Sequence, residues 1–166
     1  MKSLKQLVKE FADQGYPNPL IHAECKLWAL QNIFFNQNII KVSSFLNLSP
    51  VWNKGISFGM FSNLENINFF ITILTLIIIS ILFFWFFKTV NFIQQVALIF
   101  IISGAIGNLI DRFKYNAVVD FIDFHINNLH WPAFNFADTY ITIGVIIYII
   151  GMIYQYKNKG NENQAS

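Results

Sequence analysis

The chain has 166 residues, of which 55% are hydrophobic, 17% aromatic and only 12% charged, with 19 Phe. A soluble domain carries about 25% charged residues, so lipid is the solvent for much of this one. The net charge of +2, with lysines scattered, offers no nucleic-acid surface, and a single cysteine, Cys25, excludes an intrachain disulfide and a cysteine-pair zinc site.

Residues 1–25 read as a polar, atypical N-terminus. Leu4, Leu7, Val8 and Phe11 recur at helical spacing, with Lys2, Lys5, Lys9 and Glu10 on other faces. That pattern predicts a short amphipathic helix lying on a membrane surface or on a partner, ended by Gly15, Pro17 and Pro19. Across 39–61, β-branched and aromatic residues are broken by Asn47, Pro50, Asn53, Gly55 and Gly59, predicting short strands and turns.

Three stretches reach the roughly 20 apolar residues that a bilayer crossing needs. They are 67–87, 92–110 after the Lys88-Thr-Val-Asn91 turn, and 137–154. None is N-terminal, so none is a removable signal peptide. The expected class is mainly α, a polytopic helical bundle with a polar tail over 155–166 whose end, 160–166, composition reads as disordered. Topology puts Lys88 and Lys157 on one side, with Arg112, Lys114 and the six lysines before residue 67 on the other. Counting lysines places that N-terminal region in the cytoplasm.

Two aspartates, Asp120 and Asp138, stand in apolar frames on either side of the loop before the third span. An ionised carboxylate beside lipid is costly, by roughly 3 kcal/mol at the bilayer centre. Two that face each other and share a proton form an acid–base pair able to hydrolyse a peptide bond. Strand alternation over 117–124 puts Asp120 and Asp123 on different faces, and Val118 and Val119 give Asp120 the more apolar setting. Asn108 and Asp111, three apart, share one helix face, as do Asn135 and Asp138. Asn108 and Asn135 offer amide donors, while Asp111 and Arg112 either neutralise each other or clamp a substrate group. Ser103, Gly104 and Gly107 form a small-residue face for helix packing, and Trp131-Pro-Ala-Phe134 reads as an interfacial anchor.

Two rival chemistries are weaker. Asp120, Asp123, His125 and His130 include zinc-ligand types, but the five-residue histidine spacing has no helical logic. A proton-coupled transporter wants polar residues at mid-span, where 67–87 offers hydroxyls and 92–110 only small residues.

The blocks Gly104-Ala-Ile-Gly107-Asn108-Leu-Ile-Asp111-Arg112, Val118-Val-Asp120-Phe-Ile-Asp123-Phe and Phe134-Asn135-Phe-Ala137-Asp138 resemble, in order and separation, lipoprotein signal peptidase (signal peptidase II). Asn53-Lys-Gly55 is similar to that family's Asn-x-Gly motif, and Lys26-Leu-Trp to the end of its first helix. The resemblance covers about 26–154 as the membrane domain. It implies four transmembrane helices, a small extracytoplasmic β-cradle and an adjoining amphipathic helix.

It also implies an aspartic peptidase that cuts diacylglyceryl prolipoproteins before the lipidated cysteine, with Asp120 and Asp138 as the catalytic pair. Asn53, Gly55, Asn108, Asp111, Arg112 and Asn135 would line or support the site. No metal or organic cofactor is implied. Expected partners are the prolipoprotein signal peptides and membrane lipids, and the expected form is a monomer in the bacterial inner membrane with its site facing outward. That orientation opposes the lysine count. The family's first span carries an Asp four residues before the lysine; here His22 stands there, read as an ordinary polar residue, and 1–25 contain no span. The alternative is therefore a non-catalytic lipopeptide-binding relative.

Overall fold

The computed structural model describes residues 21–55 and 66–164, with side chains through Lys157. Helix α1 (Ile21–Ala29) runs into a π-helical turn (Leu30–Phe34), followed by strands β1 (Ile40–Lys41) and β2 (Leu46–Asn53). Helices α2 (Ile67–Lys88) and α3 (Phe92–Tyr115) come next. Strands β3 (Val118–Ile126) and β4 (Leu129–His130) then lead to α4 (Phe136–Gln164). The fold is mostly helical, with three helices long and apolar enough to cross a membrane and one antiparallel sheet ordered β1-β2-β3-β4.

The hydroxyls of α2 are satisfied locally, as they must be in lipid. Thr72, Thr75 and Ser80 donate to the carbonyls of Asn68, Ile71 and Leu76 at 2.7–2.8 Å. Helix α3 begins where the Asn91 side chain accepts from the Gln94 amide at 3.1 Å. It ends at Asn116, whose φ of 53° is left-handed and whose N–H reaches the Arg112 carbonyl at 3.0 Å.

Helices α3 and α4 approach closely through small residues. A Cβ on Gly104 would collide with the Ala137 carbonyl oxygen, and one on Gly144 would sit 2.7 Å from the Ala97 oxygen. This contact sets Asn108, one turn beyond Gly104, against Asp138, the residue after Ala137. Ser103 and Gly107, on another face of α3, receive α1 instead: His22 Nε2 lies 3.0 Å from Ser103 Oγ, with its ring over Gly107. Two apolar clusters hold the rest. Ala29, Ile33 and Phe34 pack on Val119, Phe121 and Ile122, while Ile79 of α2 meets Ala105 and Leu109 of α3.

Several expectations change. The amphipathic segment at 4–11 lies outside the described residues, as do 56–61 of the expected strand region. The second span is helical to Tyr115 rather than 110. Helix α4 carries the backbone to Gln164, through most of the tail that composition reads as disordered. His22, read as ordinary, is 3% exposed at the α1–α3 crossing.

Candidate active site

Asp120 lies on β3 opposite Val51, just beyond a register shift between Leu48 and Val51 that gives β2 one extra residue. Bulges of this kind re-aim side chains beside functional sites. The residue is 2% exposed, and both carboxylate oxygens are engaged. Asn135 Nδ2 donates to Oδ1 at 2.6 Å and Asn53 Nδ2 to Oδ2 at 2.9 Å. Burial, and then the charge of Asp138, push the Asp120 carboxyl up to about 6, against the pull of the two amides and of Lys26.

Asp138 is in the first turn of α4, tied to Asn135 by reciprocal capping. The Asn135 side-chain oxygen accepts from the amides of Ala137 at 2.7 Å and Asp138 at 3.3 Å. In return Asp138 Oδ2 accepts from the Asn135 amide at 3.0 Å. Asp138 Oδ1 accepts from Asn108 Nδ2 at 2.7 Å. Asn135, fully buried, therefore contacts both acids, one through its side chain and one through its backbone. Both acids border a cavity of about 360 Å³, together with Asn53, Gly55, Asn108 and Arg112.

The supporting residues form a connected frame. Asn108 Oδ1 accepts from Asn135 Nδ2 at 3.1 Å and from Lys26 Nζ at 2.7 Å, which turns its amide toward Asp138. Lys26 also meets Asp111 Oδ2 at 2.5 Å, and that oxygen takes the Val119 amide at 3.1 Å. Of the two readings of Asp111 and Arg112, mutual neutralisation is not what forms: Asp111 pairs with Lys26. Arg112 instead donates to the Gly55 carbonyl at 2.9 Å and to Asn68 Oδ1 at 2.8 Å. Neighbours in a helix point about 100° apart, so consecutive residues rarely pair. The Gly55 amide completes the loop by donating to Asn53 Oδ1 at 3.0 Å.

Asp123 faces different partners, His130 Nδ1 at 2.8 Å and Asn47 Nδ2 at 3.4 Å. Its separation from Asp120 follows the strand alternation, although both border an outer cavity of about 550 Å³. Among the described residues, no three His, Cys, Asp or Glu side chains converge as metal ligands. Lys26 was absent from the site expected on sequence grounds. Its signal was there: His22, Lys26 and Ala29 recur at helical spacing, and all three are buried.

Three membrane-length helices, with Asp120 and Asp138 bordering one cavity at an end of their bundle, define a polytopic membrane protein. A family model described as signal peptidase (SPase) II matches residues 21–154. A lipoprotein signal peptidase of Anaplasma phagocytophilum is 50% identical over 110 residues, covering 66% of this chain and 70% of the relative. The Clostridium tetani lipoprotein signal peptidase is 39% identical over 142 residues, covering 84% and 87%. A solved bacterial membrane enzyme superposes with a TM-score of 0.72 at 34% identity, covering 85% of each chain. The chain belongs to the signal peptidase II family, and it is a membrane protease.

Proposed function

We propose that this protease is an aspartic endopeptidase that removes signal peptides from diacylglyceryl-modified bacterial prolipoproteins, cutting before the lipidated cysteine. The observation that carries the reading is Asn135, whose side chain and backbone hold Asp120 and Asp138 at the margin of one cavity. In this mechanism the two acids share one proton and activate a water molecule between them. Asp138 takes a proton from water as its oxygen attacks the scissile carbonyl, while the Asp120 O–H hydrogen-bonds the carbonyl oxygen. Collapse of the tetrahedral adduct breaks the C–N bond, and the amine leaves with a proton from the pair. Burial and the neighbouring charge, which push Asp120 up to about 6, support its role as holder of the shared proton.

Asn53, Asn108 and Asn135 orient the acids without adding charge, and Asp111, Gly55 and Arg112 fix the backbone around them. All of these groups come from one chain, which supports a monomeric enzyme. The site lies at the end of the bundle opposite Lys88, and the family resemblance, against the lysine count, has it facing outward across the inner membrane. Reagent labelling of a Lys54→Cys variant from the outside is expected; labelling only from the cytoplasm overturns that orientation.

The test is cleavage of a synthetic diacylglyceryl prolipopeptide by the purified chain in lipid vesicles. Asp120→Asn and Asp138→Asn should each lose about a thousandfold or more in rate. Asp123→Asn should lose less than about tenfold, since its partners lie off the acid pair. Normal cleavage by either of the first two variants sinks the dyad. A peptide lacking the diacylglyceryl group should bind poorly, because acyl burial contributes about 0.8 kcal/mol per methylene.

A further inference from the structure

The cavity that holds the two acids adjoins a second one. Asn53, Asp120, Pro132 and Ala133 border both, and the second, the 550 Å³ cavity, runs along β2 and β3 to Lys54 and Trp131. Pro132 and Ala133 belong to a fixed arch: the Trp131 amide bonds the Phe124 carbonyl at 2.7 Å, and Phe134 exchanges bonds with Ile122 at 2.9 and 3.1 Å. The outer cavity is therefore an open groove adjoining the catalytic one, of a size that suits a short peptide.

Its charges are unequally committed. Asp120 is held by two amides, and Asp123 by His130 and Asn47. Lys54 is exposed, and among the described residues no ion pair or hydrogen bond engages its ammonium group. Its backbone is nonetheless fixed, because Asn53 binds Asp120 and the Gly55 amide while the Gly55 carbonyl takes Arg112. A flexible cation thus stands at the rim on a rigid base.

We propose that the outer cavity receives the residues following the lipidated cysteine, and that Lys54 makes it favour acidic over basic residues there. The inference rests on the peptidase reading above. A peptide whose scissile carbonyl lies between Asp120 and Asp138 continues in both directions. Its apolar signal segment belongs with the bundle, so its polar segment follows the cavity leading away from the bundle, past Lys54.

The experiment compares three diacylglyceryl prolipopeptides, identical except for Asp-Asp, Ser-Ser or Lys-Lys after the cysteine, cleaved by the full chain in phosphatidylcholine vesicles. The ratio of kcat/KM values within one preparation is independent of how much enzyme is folded. The wild-type chain should prefer Asp-Asp to Lys-Lys by roughly fivefold, with the preference shrinking in roughly 0.5 M salt. Lys54→Glu should reverse the order, and Lys54→Gln should bring the ratio near one. Equal cleavage of all three by the wild type, or an unchanged ratio in Lys54→Glu, overturns the inference and leaves the peptidase reading standing. A ratio that follows added anionic lipid but ignores the charge at 54 assigns the preference to the membrane and also overturns it. Failure to cleave any of the three overturns the peptidase reading, and this inference with it.

Discussion

Helix α2 and the α3–α4 junction have opposite interiors. Of the 22 residues in α2, only Thr72 and Ile79 are buried, and Phe69, Leu74, Ile77 and Phe84 are exposed. In α3, ten residues are buried, among them Ser103, Asp111 and Arg112. The most apolar helix is thus the barest, while the junction encloses polar side chains along with small and apolar ones. Lipid removes the drive to hide apolar surface, so packing here follows small residues and hydrogen bonds.

The sharpest way to break this contrast is to strip one charge from the junction. Lys26→Met leaves Asp111 buried without its cation, which should cost about 3–5 kcal/mol of stability. Denaturation in detergent would read this, and the double variant Lys26→Met, Asp111→Leu should recover much of the loss. Asn135→Ala removes the donor to Asp120 and the cap of α4 together. Cleavage should fall by roughly a hundredfold, with about 1–2 kcal/mol lost in stability.

A subtler probe is pH. The Asp120 carboxyl sits at about 6 in the folded chain against an ordinary 3.8. Between those values the folded protein keeps a proton that the unfolded chain has released, so stability falls as pH rises from about 4 to 6, by up to about 2–3 kcal/mol. Asp120→Asn should flatten that limb, and an unchanged limb would place the titration elsewhere. At the other extreme, Leu74→Ala on the lipid face of α2 should change stability by no more than about 0.5 kcal/mol. A loss as large as that of Lys26→Met would mean α2 is packed in a way its exposure denies.

The spans were legible because 20 apolar residues in a row admit few alternatives. The second ran longer than expected because Asn108, Asp111 and Arg112 end the hydropathy signal while protein contacts sustain the helix. That Asp120, Asp138 and the two asparagines gather at one site was suggested by their apolar frames and three-residue spacing. The Lys26–Asp111 bond was not, since it joins residues 85 apart and depends on how α1 docks. Adjacency suggested Arg112 instead, and helical geometry turned that residue toward Gly55. Likewise the Asp123–His130 contact needed the β3–β4 register, which places His130 opposite His125.

The most direct measurement is a carbon-13 NMR titration of the Asp120 carboxyl in the wild type and in Asp138→Asn. If the two acids answer to each other across one cavity, removing the Asp138 charge lowers the Asp120 midpoint from about 6. An identical midpoint in both proteins would mean the carboxyls titrate independently, and the proton-sharing pair would have to be abandoned.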